Sequence, residues 1–317
     1  MIDVEGDETK EKVTLEQKKP SDDSRLNASL QSNTGKPCEC GGKGEEGCSC
    51  NPSMKKMTST IPSYVYAIGK IEARFPSRTI MQEYRQAGGR IETTGQTDQE
   101  VMRTVLSQRA NRYLARKMCW VFTIERVDTY ILTPQDPTDL DALTESLRTL
   151  PRPTDIDVVI GIRGPISTPE MCNGLMVPIV IFDQIYTFDR DTLIKSIPKP
   201  ENIAEKQFRS TAEEVFDRTI QIADNIGANN EHRVLNYLAV RYETIYANTV
   251  EMHRRDFSLS SIETRPSRLS QSGTQKIIDV IFSYTNRKTG VAEKYYCRVA
   301  ADEFPYLVSP LSPYYER

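Results

Sequence analysis

The sequence predicts an α+β fold, and three observations carry the prediction. Short runs rich in Val, Ile and aromatic residues recur from residue 61 onward with turn signals between them. Segments with helical apolar spacing and capping residues are interspersed among them. After residue 200 long helical stretches come first, and a block of alternating strands ends the chain.

In chain order, residues 64–71 (YVYAIGKI) read as a strand, and Ser77 is a plausible cap for a helix that Gly88-Gly89 would stop. Thr97-x-x-Glu100 is a capping box opening a helix through Val101, Val105, Leu106 and Leu114, with a break near Asn111. Residues 119–124 and 129–133 form two strands around a short turn. Asp136-Pro137-Thr138 opens a helix with Leu140, Leu143, Leu147 and Leu150 on one face, closed by Pro151 and Pro153. Residues 156–163 and 175–188 are strand-like, and 176–184 is apolar enough to be buried on both faces. Residues 203–225 and 231–253 are long helices separated by 227–230, with Asn230 as cap of the second. Strands follow at 257–263, 276–285 and 291–300, the last two joined by a hairpin at 286–290.

This pattern divides the chain into a disordered Cys/Gly-rich tail (1–60), a first α+β module (61–198) and a second module of long helices followed by an antiparallel hairpin sheet (199–317), with antiparallel sheets expected in both modules. The boundary is the Pro198-Lys199-Pro200 linker.

Composition excludes several chemistries. Lys plus Arg is 41 against 44 Asp plus Glu, a formal charge of −3, so nucleic-acid binding through overall basicity is not expected. No apolar run approaches the ~18–20 residues of a membrane span. The polar, acidic N-terminus is no secretory signal, so cytoplasmic location with no membrane partner is the expectation. The 7 cysteines, without such a signal, argue against a disulfide framework, and the 2 histidines cannot make a histidine-only metal site.

Cys38-x-Cys40-x7-Cys48-x-Cys50 is the sharpest chemical feature, since its thiolates could close a tetrahedral zinc site. One residue between the cysteines of each pair strains chelation by both sulfurs, and a solvated, reduced linker is the alternative. Cys119 and Cys297 sit in strands, where a buried inert thiol is expected. Cys172 lies in a loop, and with His232 it could supply a second zinc or nucleophile site. Asp183, Asp189 and Asp191 could perform acid–base work, although Asp189-Arg190-Asp191-Thr192 reads first as helix capping. No phosphate cradle or nucleophile elbow is present.

Several segments together resemble a known family. They are Pro62-Ser-Tyr-Val-Tyr-Ala-Ile-Gly69, Arg74-Phe-Pro76, Asn111-Arg-Tyr-Leu-Ala115, Cys119-Trp120 and Tyr130-Ile-Leu-Thr-Pro134, then Ile160-Gly-Ile-Arg-Gly-Pro165, Pro169-Glu-Met-Cys-Asn-Gly-Leu-Met-Val-Pro178 and Phe182-Asp-Gln-Ile-Tyr186. Asn236-Tyr-Leu-Ala-Val-Arg-Tyr242, Arg265-Pro-Ser-Arg268, Phe282-Ser-Tyr-Thr-Asn-Arg287 and Leu311-Ser-Pro-Tyr-Tyr315 continue them. Together they resemble the C-terminal region of PatG-type cyanobactin maturation proteases, two modules of unknown function, across roughly residues 61–317. Family members can carry a Cys/Gly-rich stretch before the Tyr-Val-Tyr-Ala segment, which Cys38 to Cys50 would match.

In such proteases a subtilisin-like domain precedes this region and cleaves and macrocyclises a precursor peptide. Residues 1–60 contain no histidine and no subtilisin-type nucleophile motif, so the resemblance transfers no catalytic residue. It implies a non-catalytic accessory module in the biosynthesis of ribosomally made, post-translationally modified peptides. Its partner would be a precursor peptide, a peptide-modifying enzyme or a second copy in a homodimer, and an extended peptide could add to the edge of strands 276–285 and 291–300. The alternative is a zinc- or thiol-dependent peptide-modifying enzyme using Cys172 and His232.

Overall fold

The computed structural model describes residues 62–89, 95–199, 203–222, 224–270 and 275–315. It bears out the α+β class. The first strand, β1 (Ser63–Arg74), is the long β-branched and aromatic run the sequence marks. Three short helices follow: α1 (Arg78–Gly88), capped by Ser77, α2 (Asp98–Ser107), capped by Thr97, and α3 (Arg112–Lys117), entered through a 3-10 turn at Arg109–Asn111. Strands β2 (Cys119–Ile124) and β3 (Val127–Pro134) form a hairpin, and α4 (Leu140–Ser146) leads to β4 (Asp155–Ile166) and β5 (Pro178–Asp189).

These five strands close into a barrel of order β1-β2-β3-β5-β4, with β4 returning to β1. The expectation of antiparallel sheets needs one amendment, because β3 and β5 run parallel, Ile131 opposite Ile179. Residues along β1 alternate between two cores. Val65, Ala67 and Ile71 join Trp120, Phe122, Tyr130, Leu132, Val180 and Phe182, together with Leu114, Leu140, Leu143 and Leu147 from α3, α4 and the turn after it. Tyr66 and Ile68 face the other way, into the second cluster.

That second cluster is built on helices α5 (Arg190–Ser196), α6 (Glu205–Ile220), α7 (Asn230–Arg241) and α8 (Thr244–Arg254). It also includes a four-stranded antiparallel sheet of order β6-β7-β8-β9, formed by β6 (Phe257–Pro266), β7 (Ile277–Asn286), β8 (Ala292–Ala300) and β9 (Tyr306–Pro313). Ile156, Val158 and Ile160 of β4 share this core with Phe216, Leu238, Tyr246, Val280 and Phe282, so residues before and after position 200 are buried against one another. Helix α7 joins the layers. Its Asn236 side chain donates to the Tyr66 carbonyl at 2.8 Å, and buried Arg233 donates to the Ala301 carbonyl at 3.1 Å, the Glu303 carbonyl at 3.0 Å and the Asp302 carbonyl. Burial pulls the Arg233 guanidinium down to about 10, so it stays charged at neutral pH.

Five expectations are corrected. The helix expected over 231–253 breaks at Tyr242, whose backbone is non-helical (φ −118°, ψ 87°), and Asn229 rather than Asn230 caps it. Leu150 lies past the end of α4 and is 68 % exposed. The apolar run 176–184 is not buried on both faces, because Val180 and Phe182 point into the barrel core while Met176 (60 %) and Ile181 (40 %) meet solvent. Strands β7 and β8 are interior to the sheet, so neither offers the edge expected for peptide addition; the edges are β6 and β9.

Candidate functional site

Among the described residues, those singled out from the sequence do not assemble. Cys38, Cys40, Cys48 and Cys50 lie outside the described residues. Cys172 is bonded to Cys119 in a disulfide across 53 residues of sequence. This corrects the reading of Cys119 as an inert thiol and ties up the sulfur that the Cys172–His232 site requires. His232 sits in the first turn of α7, where its backbone N–H donates to Asn229 Oδ1 at 2.7 Å, and burial lowers its imidazole below the usual range. Among the described residues no group of three or more His, Cys, Asp or Glu could hold a metal. Cys297 is a buried thiol, pushed up to about 12 by burial. Asp189 caps α5, accepting from the Asp191 N–H at 2.7 Å, while the Asp191 carboxylate takes Arg209 at 2.5 Å; both carboxylates are structural.

The Cys172 loop, 167–177, is largely self-bonded. Ser167 N–H donates to the Val177 carbonyl at 2.9 Å, and Gly174 N–H to the Pro169 carbonyl at 2.8 Å. The disulfide and the packing of Leu175 and Val177 hold it against Val121 of β2 and Ile131 of β3.

A cleft of about 640 Å³ opens elsewhere, between one end of the barrel and helix α6. Its floor is the Ile68–Lys70 stretch of β1, and its walls include Ile124, Ile156, Phe216 and Ile220. Lys70, Arg126, Arg152 and Arg190 balance Glu72, Glu125, Asp155 and Asp217 around it. Several of these groups are already placed. Lys70 Nζ donates to the Pro153 carbonyl at 3.2 Å, holding the 151–155 loop to the barrel, and Arg190 pairs with Asp217 at 3.2 Å. The hairpin tip between β2 and β3 carries Glu125 and Arg126 at φ 49° and 68°. A two-residue turn with both φ positive favours Asn-Gly, and this one presents two charged side chains at the cleft instead.

The cleft's far end is set by a hydrogen-bonded knot between α6 and α7. The Asn225 side chain donates to the Ile220 carbonyl at 3.0 Å and to Asn236 Oδ1 at 2.8 Å. Tyr66 N–H donates to the Gly227 carbonyl at 2.9 Å. Gly227 has φ +68°, and a Cβ there would strike the Tyr66 carbonyl, so only glycine fits this approach. The sequence offered Gly227 as a helix separator; its role against β1 depends on tertiary contacts.

Just behind the floor, buried Asp157 accepts the Ile71 N–H at 2.7 Å, with the Arg148 guanidinium 3.6 Å away. Burial outweighs these contacts and pushes its carboxyl up to about 6.

Comparison with known proteins places this architecture. The PatG Domain family matches residues 64–264, a span that contains every residue lining the cleft. The chain belongs to that family, a domain of unknown function associated with cyanobactin biosynthesis proteins. A solved structure described as "PatG Domain of Unknown Function" is similar at a TM-score of 0.63 and 18 % identity, over 80 % of this chain and 99 % of that one. No curated protein matches. The family resemblance read from the sequence is thereby borne out.

Proposed function

We propose that this chain is a non-catalytic binding module in the biosynthesis of cyanobactin-type ribosomal peptides, and that its ligand is the precursor peptide. The observation that carries this reading is the 640 Å³ cleft, whose apolar walls and balanced rim of guanidinium, ammonium and carboxylate groups suit a polypeptide of mixed side chains. Its lining holds no histidine or cysteine, and Lys70 and Arg190 are occupied in holding the 151–155 loop and in pairing with Asp217. Membership of the PatG domain family supplies the biosynthetic context.

The test follows the mass of a precursor peptide incubated with the purified chain while calorimetry reads binding. Saturable binding with an unchanged peptide mass is expected. Conversion of the peptide, abolished by His232→Ala, would overturn the reading in favour of an enzyme.

A further inference from the structure

We propose a second binding site, independent of the cleft: a groove beside the β2–β3 hairpin that takes a small organic carboxylate with an apolar body. Strand β3 pairs with β2 only as far as Ile131, opposite Val121, yet follows β5 to Pro134. The hairpin strands part beyond Ile131, and a groove of about 580 Å³ opens there, bounded by the end of α3 and by residues 171–172. The Cys119–Cys172 bond ties that last wall to β2. The volume is that of a small-molecule site, and the groove shares no lining residue with the cleft.

Trp120, Ile131, Leu132 and Leu140 give the groove apolar surface. Trp120 brings no free donor with it, because its Nε1–H donates to the Ala115 carbonyl at 2.9 Å. Such a surface favours a hydrocarbon or aromatic body and penalises a polar one left without partners.

The charges on the lining select the head group. They are Arg116 and Lys117, with no carboxylate among the described lining residues. The acidic residues next in sequence to Pro137 and Leu140 have local partners: Asp136 accepts the Thr138 N–H at 2.8 Å, Asp139 the Asp136 N–H at 3.2 Å, and Asp141 pairs with Arg112 at 2.9 Å. Lys117 is shared with Glu83 at 3.8 Å. The side chains of Arg116, Thr133 and Gln135 have no partner among the described residues. An unshared guanidinium, with a hydroxyl and an amide on the same groove, matches the single charge and the acceptor sites of a carboxylate. A phosphate dianion would leave about one charge unbalanced, and an ammonium would meet like charge.

The sequence holds 1 tryptophan, Trp120, so tryptophan fluorescence reports on this groove directly. The full chain is titrated with octanoate, octylamine and octyl phosphate below their micellar concentrations, read by that fluorescence and by calorimetry. Octanoate is expected to bind saturably, to shift the Trp120 emission, and to bind about tenfold or more tighter than either other probe. Arg116→Gln and Thr133→Glu are each expected to weaken it about tenfold, the second by setting one carboxylate against another. Arg85→Gln, which removes an exposed cation of α1 outside the groove, is expected to leave binding unchanged. Melting curves verify that the variants fold. Equal binding of octanoate and octylamine marks adsorption to apolar surface and overturns the proposal. Tighter binding of octyl phosphate, octanoate binding that leaves the Trp120 emission unchanged or is indifferent to both variants, or no octanoate binding at millimolar concentration also overturns it.

Discussion

Strands β1 and β9 each have a side that no neighbouring strand covers, β1 only ahead of Lys70 and β9 as a sheet edge, and the protein treats the two differently. On β9 the Tyr242 hydroxyl, at the end of α7, takes the Leu311 N–H, and Pro310 and Pro313 remove donors altogether. On β1 the Asn236 amide and the Gly227 carbonyl serve Tyr66, and the next outward pair, at Ile68, lies at the floor of the 640 Å³ cleft. Unpaired edges invite association with other chains. The β9 edge is thus guarded by a side chain and by prolines, whereas the outward side of β1 is met by Gly227 and Asn236 at Tyr66 and by β2 from Lys70 onward.

The largest expected effect comes from the disulfide. Closing a loop across 53 residues gives about 4 kcal/mol in the chain-entropy account, so Cys119→Ser with Cys172→Ser should lower the melting temperature well beyond ordinary surface variants. Hydrogen exchange should rise in 167–177 while the Tyr66 amide stays protected. Loss of protection at Tyr66 as well would show that the barrel depends on this bond throughout.

Gly227→Ala drives a methyl group into the Tyr66 carbonyl and forces an unfavourable φ. We expect a loss of roughly 3 kcal/mol in denaturant unfolding, the scale of strain at a special backbone position. A near-neutral result would mean that the Tyr66 cap is dispensable and that β1 is open more widely than at Ile68.

Asp157 gives a pH dependence of definite sign. Its folded carboxyl titrates near 6 against about 3.8 unfolded, so the folded state holds the proton more tightly. Its contribution to stability is full below about pH 4 and is lost as pH rises through about 6. Asp157→Asn can still accept from Ile71 N–H and should flatten this part of the stability–pH curve.

A smaller effect is expected on β9. Tyr242→Phe strands the Leu311 N–H and should cost about 1 kcal/mol. Self-association of this variant in size-exclusion chromatography at high concentration would show that the hydroxyl also guards the edge.

Much of the fold was legible because local signals and burial agree there. Ser77 and Thr97 cap the helices they announce, and the 286–290 turn joins β7 to β8. Strand β9 escaped because its two prolines argue against a strand, although an edge tolerates them. The break at Tyr242 escaped because helical periodicity continues through it, while the side chain is recruited to a strand distant in sequence. The disulfide escaped because Cys119 sits in a strand with no mark of its partner, and composition argued against disulfides. The cleft was not legible at all. Its floor, hairpin tip, 151–155 loop and Asn225 come from four separate stretches, and neither the orientation of the Ile68 backbone nor the positive φ at Glu125 and Arg126 follows from residue type.

The claim that β1 is open at one residue is tested most directly by residue-resolved amide exchange on the free protein. The account predicts strong protection at Tyr66 and at Ile71, bonded to Gly227 and Asp157, and markedly faster exchange at Ile68 between them. Protection at Ile68 equal to that of Tyr66 would contradict it.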